Sequence, residues 1–547
     1  ARLQRCVVTR CGGFGVAVVD SAGGTFTDNS VDESCKCGVV CSGTSMATFE
    51  RNVVADGSQG GFWTQDASRC VIRNNRVYNN LKTAMQVSDD SDPVVVENTI
   101  TDGKGGGIVV HHRARGHFFK NTISNNSQAG VGLMDDAGPV FVGNSVVGNK
   151  SGGVVMAGRS KAVFLSNVIS ACNFAGVGLK ESSAPLFDGN VIRENLGYGI
   201  LVQGSATGSF QNCLIESNSK SGVCSTGSAK MHIENCTLTG GPELSQKTGV
   251  LLHDSSSATI LGCSLHAHRG GNVVMRDQSS AKMTRNTVAE TDGAGIVLQG
   301  QATAELYGNV MRAGKISNLV LLERSSLTSV GNSIVDSRGV GVLGMDSSRS
   351  VFAHSTVSGN AGAGLHFTGS AAVDMTLCTI KKNAGQGVHL EQSCRPSVHS
   401  CVMFDNSEGA MLMDEGLEGP LAVVGNLMLS WPKEGVPTVS IAPGFRPGAS
   451  CKMVNNVVQT GLNQLPRELQ ELQKHNRGCS AKDAQVLLKN ALDTLSQACP
   501  CLWRRAVVEQ PTGDLCIGLP LELRWTDPED FSHALAHVPP DPADGAR

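Results

Sequence analysis

The chain has 547 residues, of which 65 are Gly, 17% are charged and 4% are aromatic. Its formal net charge of −3 excludes an overall basic field that would attract nucleic acid or an anionic membrane surface, so we expect no nucleic-acid partner. No run of about 18 uninterrupted apolar residues occurs, and we therefore expect no membrane span.

The chain is organised by one short phrase, in which an Asn precedes a Val or Ile by two residues. This anchor recurs every 23 residues in its most regular part, at Asn98, Asn121, Asn144, Asn167 and Asn190. The same step reaches back to Cys6 and forward to Cys401, with one longer step between Cys236 and Cys263. A fixed period of this length is typical of a solenoid.

Each repeat contains three short segments with period-two alternation, which indicates strands. The first strand follows a Gly and carries inward pairs such as Ile108 and Val110. The second often carries an inward Phe, and the third follows the anchor Asn. Gly, Asn and Asp between the segments are typical of tight turns. The sequence thus predicts an all-β fold, a right-handed parallel β-helix solenoid of about 20 coils over residues 1–460.

Coils stacked about 4.8 Å apart would bury one continuous apolar column, which a single coil cannot do. Equivalent residues would then lie above one another. We expect a ladder of anchor amides and a stack of phenyl rings. The predicted ladder residues are Asn98, Asn121, Asn144, Asn167, Asn190, Phe118, Phe141, Phe164 and Phe187. A leucine-rich repeat is the competing solenoid, but Leu is uncommon at the ladder positions and no helix-forming run occurs inside a repeat.

The composition changes after residue 460. Pro466–Lys474 and Ala481–Leu495 have helical patterns, and Arg504 to Trp525 contains strand-like runs. An open end of a β-helix exposes strand edges, so we expect residues 461–538 to form a small α/β cap. An independent functional domain is the alternative. The tail 539–547 is rich in Pro and Asp, which predicts disorder.

The stretch from Gly106 to Val131 resembles the carbohydrate-binding and sugar-hydrolase repeats of pectate-lyase-type β-helices. The pairing of Ala129-Gly-Val with Gly138-Pro139, and of Ala175-Gly-Val with Ala184-Pro185, is similar to the β-helical region of the F-box only protein 11 group. The resemblance implies a partner-binding β-helix. In that group the β-helix serves as the substrate receptor of a ubiquitin ligase.

Two polar features bear on chemistry in the repeats. A column of Asp and Glu just after the first strand would offer hard oxygen ligands to Ca²⁺, but its alternation with Gly favours positive-φ turns. A basic cluster lies near acidic residues of adjacent coils. The candidate binding residues are His111, His112, Arg113, Arg115, His117, Asp89 and Asp135. An exposed charge network is the plain interpretation, and a polysaccharide or acidic-peptide site is the alternative.

Two histidines on neighbouring repeats are possible metal ligands. His366 and His389 occupy equivalent outward positions one coil apart, near Glu391 and Asp414, and two such imidazoles would be able to share an ion. No fixed third ligand is evident, so we expect surface histidines and no resident metal. The spacing of the cysteines lacks the doubled C-x-x-C pattern of a zinc site.

The outward position of the first strand is apolar in the middle of the chain, and such a stripe is expected to be covered. The stripe comprises Leu201, Leu251, Val274, Val297, Val320 and Leu343. Either Ala481–Leu495 or another protein would cover it. We predict a non-catalytic scaffold with a protein partner and no cofactor. The alternative is a lyase, hydrolase or epimerase acting on a polysaccharide, with Ca²⁺ as its cofactor. Many of the 19 Cys fall on repeat positions, which favours free thiols and an intracellular, reducing compartment.

Overall fold

The computed structural model describes residues 1–241, 246–414, 417, 421–430, 438–441, 452–454, 456–460, 507–509 and 515–517. Nearly all strands in this part belong to three parallel sheets, in which successive members are three places apart along the chain. Each coil contributes one strand to each sheet. No helix occurs among the described residues.

We name the sheets by the order of strands within a repeat. The first sheet comprises Val16–Val18, Val39–Cys41, Phe62–Thr64, Met85–Val87, Ile108–Val110, Val131–Leu133, Val154–Met156, Val177–Leu179, Ile200–Val202, Ser221–Ser225, Thr248–Leu252, Gly271–Met275, Ala294–Leu298, Ser317–Leu321, Val340–Gly344, Leu365–Phe367, Val388–Leu390, Met411–Met413 and Val439–Ile441.

The second sheet comprises Arg2–Gln4, Gly23–Thr27, Met46–Glu50, Val71–Arg73, Val94–Val96, His117–Phe119, Val140–Val142, Val163–Leu165, Leu186–Asp188, Thr207–Gln211, Lys230–Glu234, Ser257–Leu261, Ser280–Thr284, Thr303–Tyr307, Ser326–Val330, Arg349–Ala353, Ala372–Thr376, Arg395–His399, Ala422–Val424 and Lys452–Val454.

The third sheet comprises Val7–Thr9, Ser30–Asp32, Val53–Ala55, Arg76–Tyr78, Thr99–Thr101, Thr122–Ser124, Ser145–Val147, Val168–Ser170, Val191–Arg193, Leu214–Glu216, Thr237–Thr239, Ser264–His266, Thr287–Thr291, Val310–Gly314, Ser333–Val335, Thr356–Ser358, Thr379–Lys381, Val402–Phe404, Leu427–Ser430 and Val457–Thr460.

The anchor side chains lie one above another at the bend between the second and third sheets. The backbone N–H and the side-chain amide of Asn121 both donate to Oδ1 of Asn144, at 2.8 and 3.0 Å. Asn98 donates to Asn121 in the same way, and the contact repeats through Asn167 to Asn190. Where the anchor is Cys, the thiol replaces the amide, and the N–H of Cys213 donates to Sγ of Cys236 at 3.3 Å.

The interior of the solenoid is one apolar column. Phe118, Phe141, Phe164 and Phe187 stack with ring centroids 4.4–4.9 Å apart, the spacing that sheet hydrogen bonding imposes on equivalent residues. Their rings are fully buried beside inward residues of the other two sheets, such as Ile123 and Val131. The all-β parallel β-helix predicted from the repeat is confirmed.

The predicted C-terminal elements have different outcomes. Val507–Glu509 and Leu515–Ile517 form an antiparallel pair within the stretch for which strands were predicted. The two predicted helices, Pro466–Lys474 and Ala481–Leu495, and the tail 539–547 lie outside the described residues. The cap over 461–538 therefore stays a prediction. Among the described residues, no helix has the length and hydropathy needed to cross a bilayer.

Candidate functional site

The predicted basic cluster follows a first-sheet strand. His111, His112 and Arg113 come directly after Ile108–Val110, where the chain turns towards the second sheet. Arg115 is exposed in the same turn, and His117 begins the strand His117–Phe119. The structure thus brings these residues to one edge between the first and second sheets.

Carboxylates of the preceding coil neutralise most of this cluster. The guanidinium of Arg113 donates two hydrogen bonds to Asp90, at 2.8 and 2.7 Å, and this contact lowers the pKa of the Asp90 carboxyl. Nδ1 of His112 lies 2.8 Å from Oδ1 of Asp89, and His117 lies 3.8 Å from Asp92. These groups are partly or fully exposed, so solvent screens each pair and each contributes little to stability. The arrangement is a cross-coil ion-pair network.

His111 and Asp135 complete the predicted set. Nε2 of His111 lies 2.9 Å from the amide nitrogen of Gln86, and burial lowers the pKa of the imidazole. Asp135 accepts a hydrogen bond from the backbone N–H of His112 at 2.9 Å. His111, His112 and Asp135 offer three possible metal-ligand atoms within 4.8 Å of one another.

The acidic column after the first strand has a structural role. Asp66, Asp89, Asp135 and Glu181 have φ between 58° and 63°, the left-handed region, and Gly43 and Gly158 occupy equivalent positions with φ of 67° and 70°. The carboxylates also accept backbone N–H groups of the preceding coil. Asp66 bonds Gly43 at 2.8 Å, and Glu181 bonds Gly158 at 2.8 Å. The positive-φ turn that the Asp and Gly alternation predicted is therefore confirmed.

An apolar face follows the outward positions of the first sheet. Its residues are Leu201, Cys224, Leu251, Val274, Val297, Val320 and Leu343, which pair in direct register. We call this set the apolar face. Leu201, Cys224 and Val320 are buried by their neighbours, and the other four are half-buried. Leu322 and Met345, one position after their strands, are also half-buried and widen it.

Aromatic side chains extend one end of the apolar face. Tyr198 and Leu251 pack against a small cluster of Ala175, Leu201 and Cys224. The ring of Phe174, 49% exposed, meets Tyr198 edge to face with centroids 6.4 Å apart. The repeat did not predict Phe174 and Tyr198 as part of this face, because they lie in turns rather than at the repeated strand positions.

Two histidines continue the column beyond Leu343. His366 pairs in register with Leu343 and with His389, and the two imidazole rings stack with centroids 4.4 Å apart. Nε2 of His366 and Nε2 of His389 lie 3.1 and 3.3 Å from the same oxygen, Oε1 of Glu391. The structure thus places Glu391, which the sequence did not mark as a third ligand, within reach of both imidazoles. Burial, together with His389, lowers the pKa of His366.

Asp414 joins this group from the next coil. Its Oδ2 lies 2.9 Å from Nε2 of His389. Glu391 and Asp414 are equivalent residues, each directly after a first-sheet strand. Their spacing of one repeat was the signal in the sequence that places Asp414 beside Glu391. What it did not indicate is that the Glu391 side chain reaches both imidazoles.

The sequence matches the profile of the right handed beta helix region over residues 1–146, 112–238, 175–326 and 273–418. No curated protein matches the chain in sequence. Among solved structures, it is similar to the periplasmic alginate epimerase AlgG, with 9% identity, coverage of 61% of this chain and 77% of that chain, and a TM-score of 0.35.

Two other solved structures are similar at the same level. The Vag8–C1 inhibitor complex gives 12% identity over 83% of this chain and 99% of that chain, with a TM-score of 0.43. Pectate lyase Pel9A gives 12% identity over 65% of this chain and 74% of that chain, with a TM-score of 0.20. The family match spans most of the solenoid and supports the right-handed sense that the repeat predicted. The chain belongs to the right-handed β-helix family.

Proposed function

We propose that this chain is a non-catalytic β-helical scaffold that binds a protein partner through the apolar face. The single observation that carries the proposal is the unbroken register of apolar outward residues from Leu201 to Leu343. A β-helix needs apolar residues only at its inward positions, so stability of the coil does not require them here. A contiguous apolar patch on an outer face is typical of an interaction surface.

The composition of the apolar face suits a protein better than a small molecule. It is flat, because equivalent residues of parallel strands stand side by side, and it offers β-branched and Leu side chains with aromatic rings at one end. Interface cores are enriched in aromatic residues and depleted of charge, with polar groups at the rim. Lys220 lies over the ring of Tyr198, with Nζ 5.1 Å from its centroid, and supplies such a rim charge.

The finer resemblance, to the F-box only protein 11 group, adds a role to this proposal. In that role the β-helix would be the receptor that selects a protein substrate for ubiquitin ligation. The proposal also places the chain inside the cell. Fourteen cysteines, all between Cys6 and Cys401, are free thiols, and a reducing compartment keeps buried thiols such as Cys213 and Cys236 in that form.

The test compares two substitutions that add the same charge to different faces. Val297→Lys places an ammonium group in the middle of the apolar face, whereas Val351→Lys places one at an exposed position, 44% accessible, on the second sheet. Proteins that co-purify with each tagged variant from native lysate are quantified against the unmodified chain. We expect specific proteins to fall at least tenfold with Val297→Lys and to be retained with Val351→Lys, since a charge buried in an interface costs more than about 1.4 kcal/mol. Equal recovery with both variants would remove the apolar face from the proposal.

A polysaccharide-active enzyme is the second candidate. The observation in its favour is the convergence of His111, His112 and Asp135 at one exposed edge. Uronate polymers, assayed with and without Ca²⁺, test it directly. Activity that disappears in the Arg113→Ala, Arg115→Ala double variant would favour the enzyme over the scaffold, and activity unchanged in that variant would exclude this edge as its site.

A further inference from the structure

We propose that His366, His389 and Glu391 form a binding site for a divalent transition-metal ion of the zinc class, with Asp414 beside it. The site goes beyond the proposed function and does not depend on it. It lies on the outer side of the first sheet, on strands Leu365–Phe367 and Val388–Leu390.

The backbone fixes the two imidazoles. His366 and His389 are direct neighbours in a parallel sheet, so hydrogen bonding between the strands sets the distance between their Cα atoms. Their rings are nearly parallel, with 9° between the ring planes and 4.4 Å between the ring centroids. The Nε2 atoms consequently point to the same side, where both meet Oε1 of Glu391.

The distances between the candidate ligand atoms match the size of a zinc site. Zn²⁺ binds nitrogen and oxygen at about 2.0–2.2 Å, so two ligand atoms on one tetrahedral ion are roughly 3.3–3.5 Å apart. Oε1 of Glu391 lies 3.1 Å from Nε2 of His366 and 3.3 Å from Nε2 of His389. All three ligand atoms lie within 4.8 Å of one another. Shifts of a few tenths of an ångström admit the ion.

Hydrogen bonding leaves one of these nitrogens available. Nε2 of His366 is buried from solvent, and its nearest acidic partner is Oε1 of Glu391 at 3.1 Å, a contact that falls outside regular hydrogen-bond geometry. A bond to a metal ion would satisfy this buried nitrogen. Nε2 of His389 has Asp414 at 2.9 Å. When the ion takes that nitrogen, the Asp414 carboxylate is left beside the fourth coordination position, where it can accept a hydrogen bond from a bound water.

The donor set selects the class of ion. Two imidazole nitrogens with one carboxylate suit zinc and its neighbours, whereas Ca²⁺ and Mg²⁺ prefer oxygen ligands alone. Two His and one Glu leave a fourth position open to water. Carboxylates lie on the solvent side of the two imidazoles, and the apolar column of the solenoid lies beneath them.

The test uses the full chain, stripped with a chelator and titrated with Zn²⁺ alone by calorimetry. Variants His366→Gln and Glu391→Gln each remove one ligand. His399→Gln is the matched control, because His399 is a half-buried histidine in the same region that bonds only Ser397 at 2.9 Å. We expect one Zn²⁺ site whose affinity falls roughly 100-fold or more in the two ligand variants and is unchanged in the control. Asp414→Asn should weaken it by about 10- to 100-fold.

Two further measurements separate the proposal from its failures. X-ray absorption of the zinc-loaded chain should show a first shell of nitrogen and oxygen. A sulfur shell would assign the ion to cysteines and overturn the proposal. Circular dichroism, measured without metal, should show the same strand content for all variants, because the substituted side chains lie outside the apolar column of the solenoid. The absence of Zn²⁺ binding by the unmodified chain would also overturn it, and so would a His366→Gln or Glu391→Gln variant that binds Zn²⁺ as tightly as the unmodified chain.

Discussion

The anchor asparagine shows how one residue type maintains the whole solenoid. Oδ1 of Asn144 accepts the backbone N–H and the side-chain amide of Asn121, while its own amide donates to the carbonyl of Phe118 at 2.9 Å and to Asn167 at 2.9 Å. Four buried polar groups are thereby satisfied by a neutral side chain. Cys at the same position accepts the backbone N–H but cannot reproduce all the hydrogen bonds of Asn.

Asn144→Ala should therefore destabilise the chain by at least about 3 kcal/mol, since it leaves several buried groups without a partner. Asn144→Cys should cost less, because a thiol already serves as acceptor at Cys236 and Cys263. Chemical denaturation followed by circular dichroism measures both. The interpretation fails if alanine is tolerated at no cost or if cysteine is as harmful as alanine.

His268 gives a residue-scale prediction with a pH dependence. It lies in a buried network, with Nε2 2.9 Å from the Gln246 amide nitrogen and Nδ1 2.5 Å from Oδ1 of Asn272. Burial lowers the pKa of the imidazole to about 4. Because this value lies below the unfolded value of about 6.5, the unfolded chain binds the extra proton between these pH values. The contribution of the neutral imidazole to folding stability is present above pH 6.5 and is lost as the pH falls towards 4.

Between pH 7 and pH 5 this group alone should remove about 2 kcal/mol from the free energy of unfolding. His268→Gln has no titrating ring, so its denaturation midpoint should fall less over the same range. The two proteins are compared by the slope of the denaturation midpoint against pH, because a uniform loss of stability in the variant would not change that slope. Parallel slopes in the two proteins would show that His268 is not the group responsible.

At the scale of the elements, the backbone conformation of the turn after each first-sheet strand determines which positions have room for a side chain. At Gly158, φ is +70° and an added Cβ would lie 2.6 Å from the backbone nitrogen of Asp135. At Gly132, within the strand Val131–Leu133, the nearest atom to such a Cβ is a side-chain carbon of Val109 at 3.4 Å. Of these two glycines, one coil apart, Gly132 thus tolerates an added side chain and Gly158 does not.

Gly158→Ala should cost roughly 2–3 kcal/mol through the positive φ and the backbone contact. Gly132→Ala should be neutral or slightly stabilising, because Gly in a strand costs about 0.5–1 kcal/mol relative to Ala. Thermal midpoints of the two variants, measured side by side, check this. A smaller loss for Gly158→Ala than for Gly132→Ala would contradict the turn geometry.

The repeat predicted the elements well because one period governs anchors, strands and turns alike. It failed where the period breaks. The step from Cys236 to Cys263 is longer, and there Gln246 and His268 continue a second row of buried polar contacts. In this row Asn195 donates to Asn218, and Asn218 donates to Gln246. No repeat position marks Gln246 or His268. The Glu391 contact with two imidazoles was likewise not predictable, since it depends on side-chain reach rather than on backbone spacing.

At the scale of the whole molecule, the solenoid behaves as a stack in which each coil contacts its neighbours. Deleting residues 144–166 removes one complete repeat and joins Gly143 to Asn167, which is equivalent to Asn144. The shortened chain should fold with a cooperative denaturation curve. Deleting residues 144–165 instead shifts every later strand by one position and turns inward residues outward.

Circular dichroism and size-exclusion chromatography distinguish the two deletions. We expect a folded monomeric profile for the first and aggregation or loss of strand signal for the second. If both deletions fold equally well, the register between coils is not what holds the structure together.

The central functional claim is that the apolar face contacts a protein, and photo-crosslinking tests it most directly. A benzophenone amino acid at position 297 lies in the middle of that face, and one at position 351 is the control on the second sheet. After irradiation in native lysate, the account predicts a discrete adduct of higher mass from position 297 and none from position 351. The absence of an adduct at 297, or the same adducts from both positions, would contradict it.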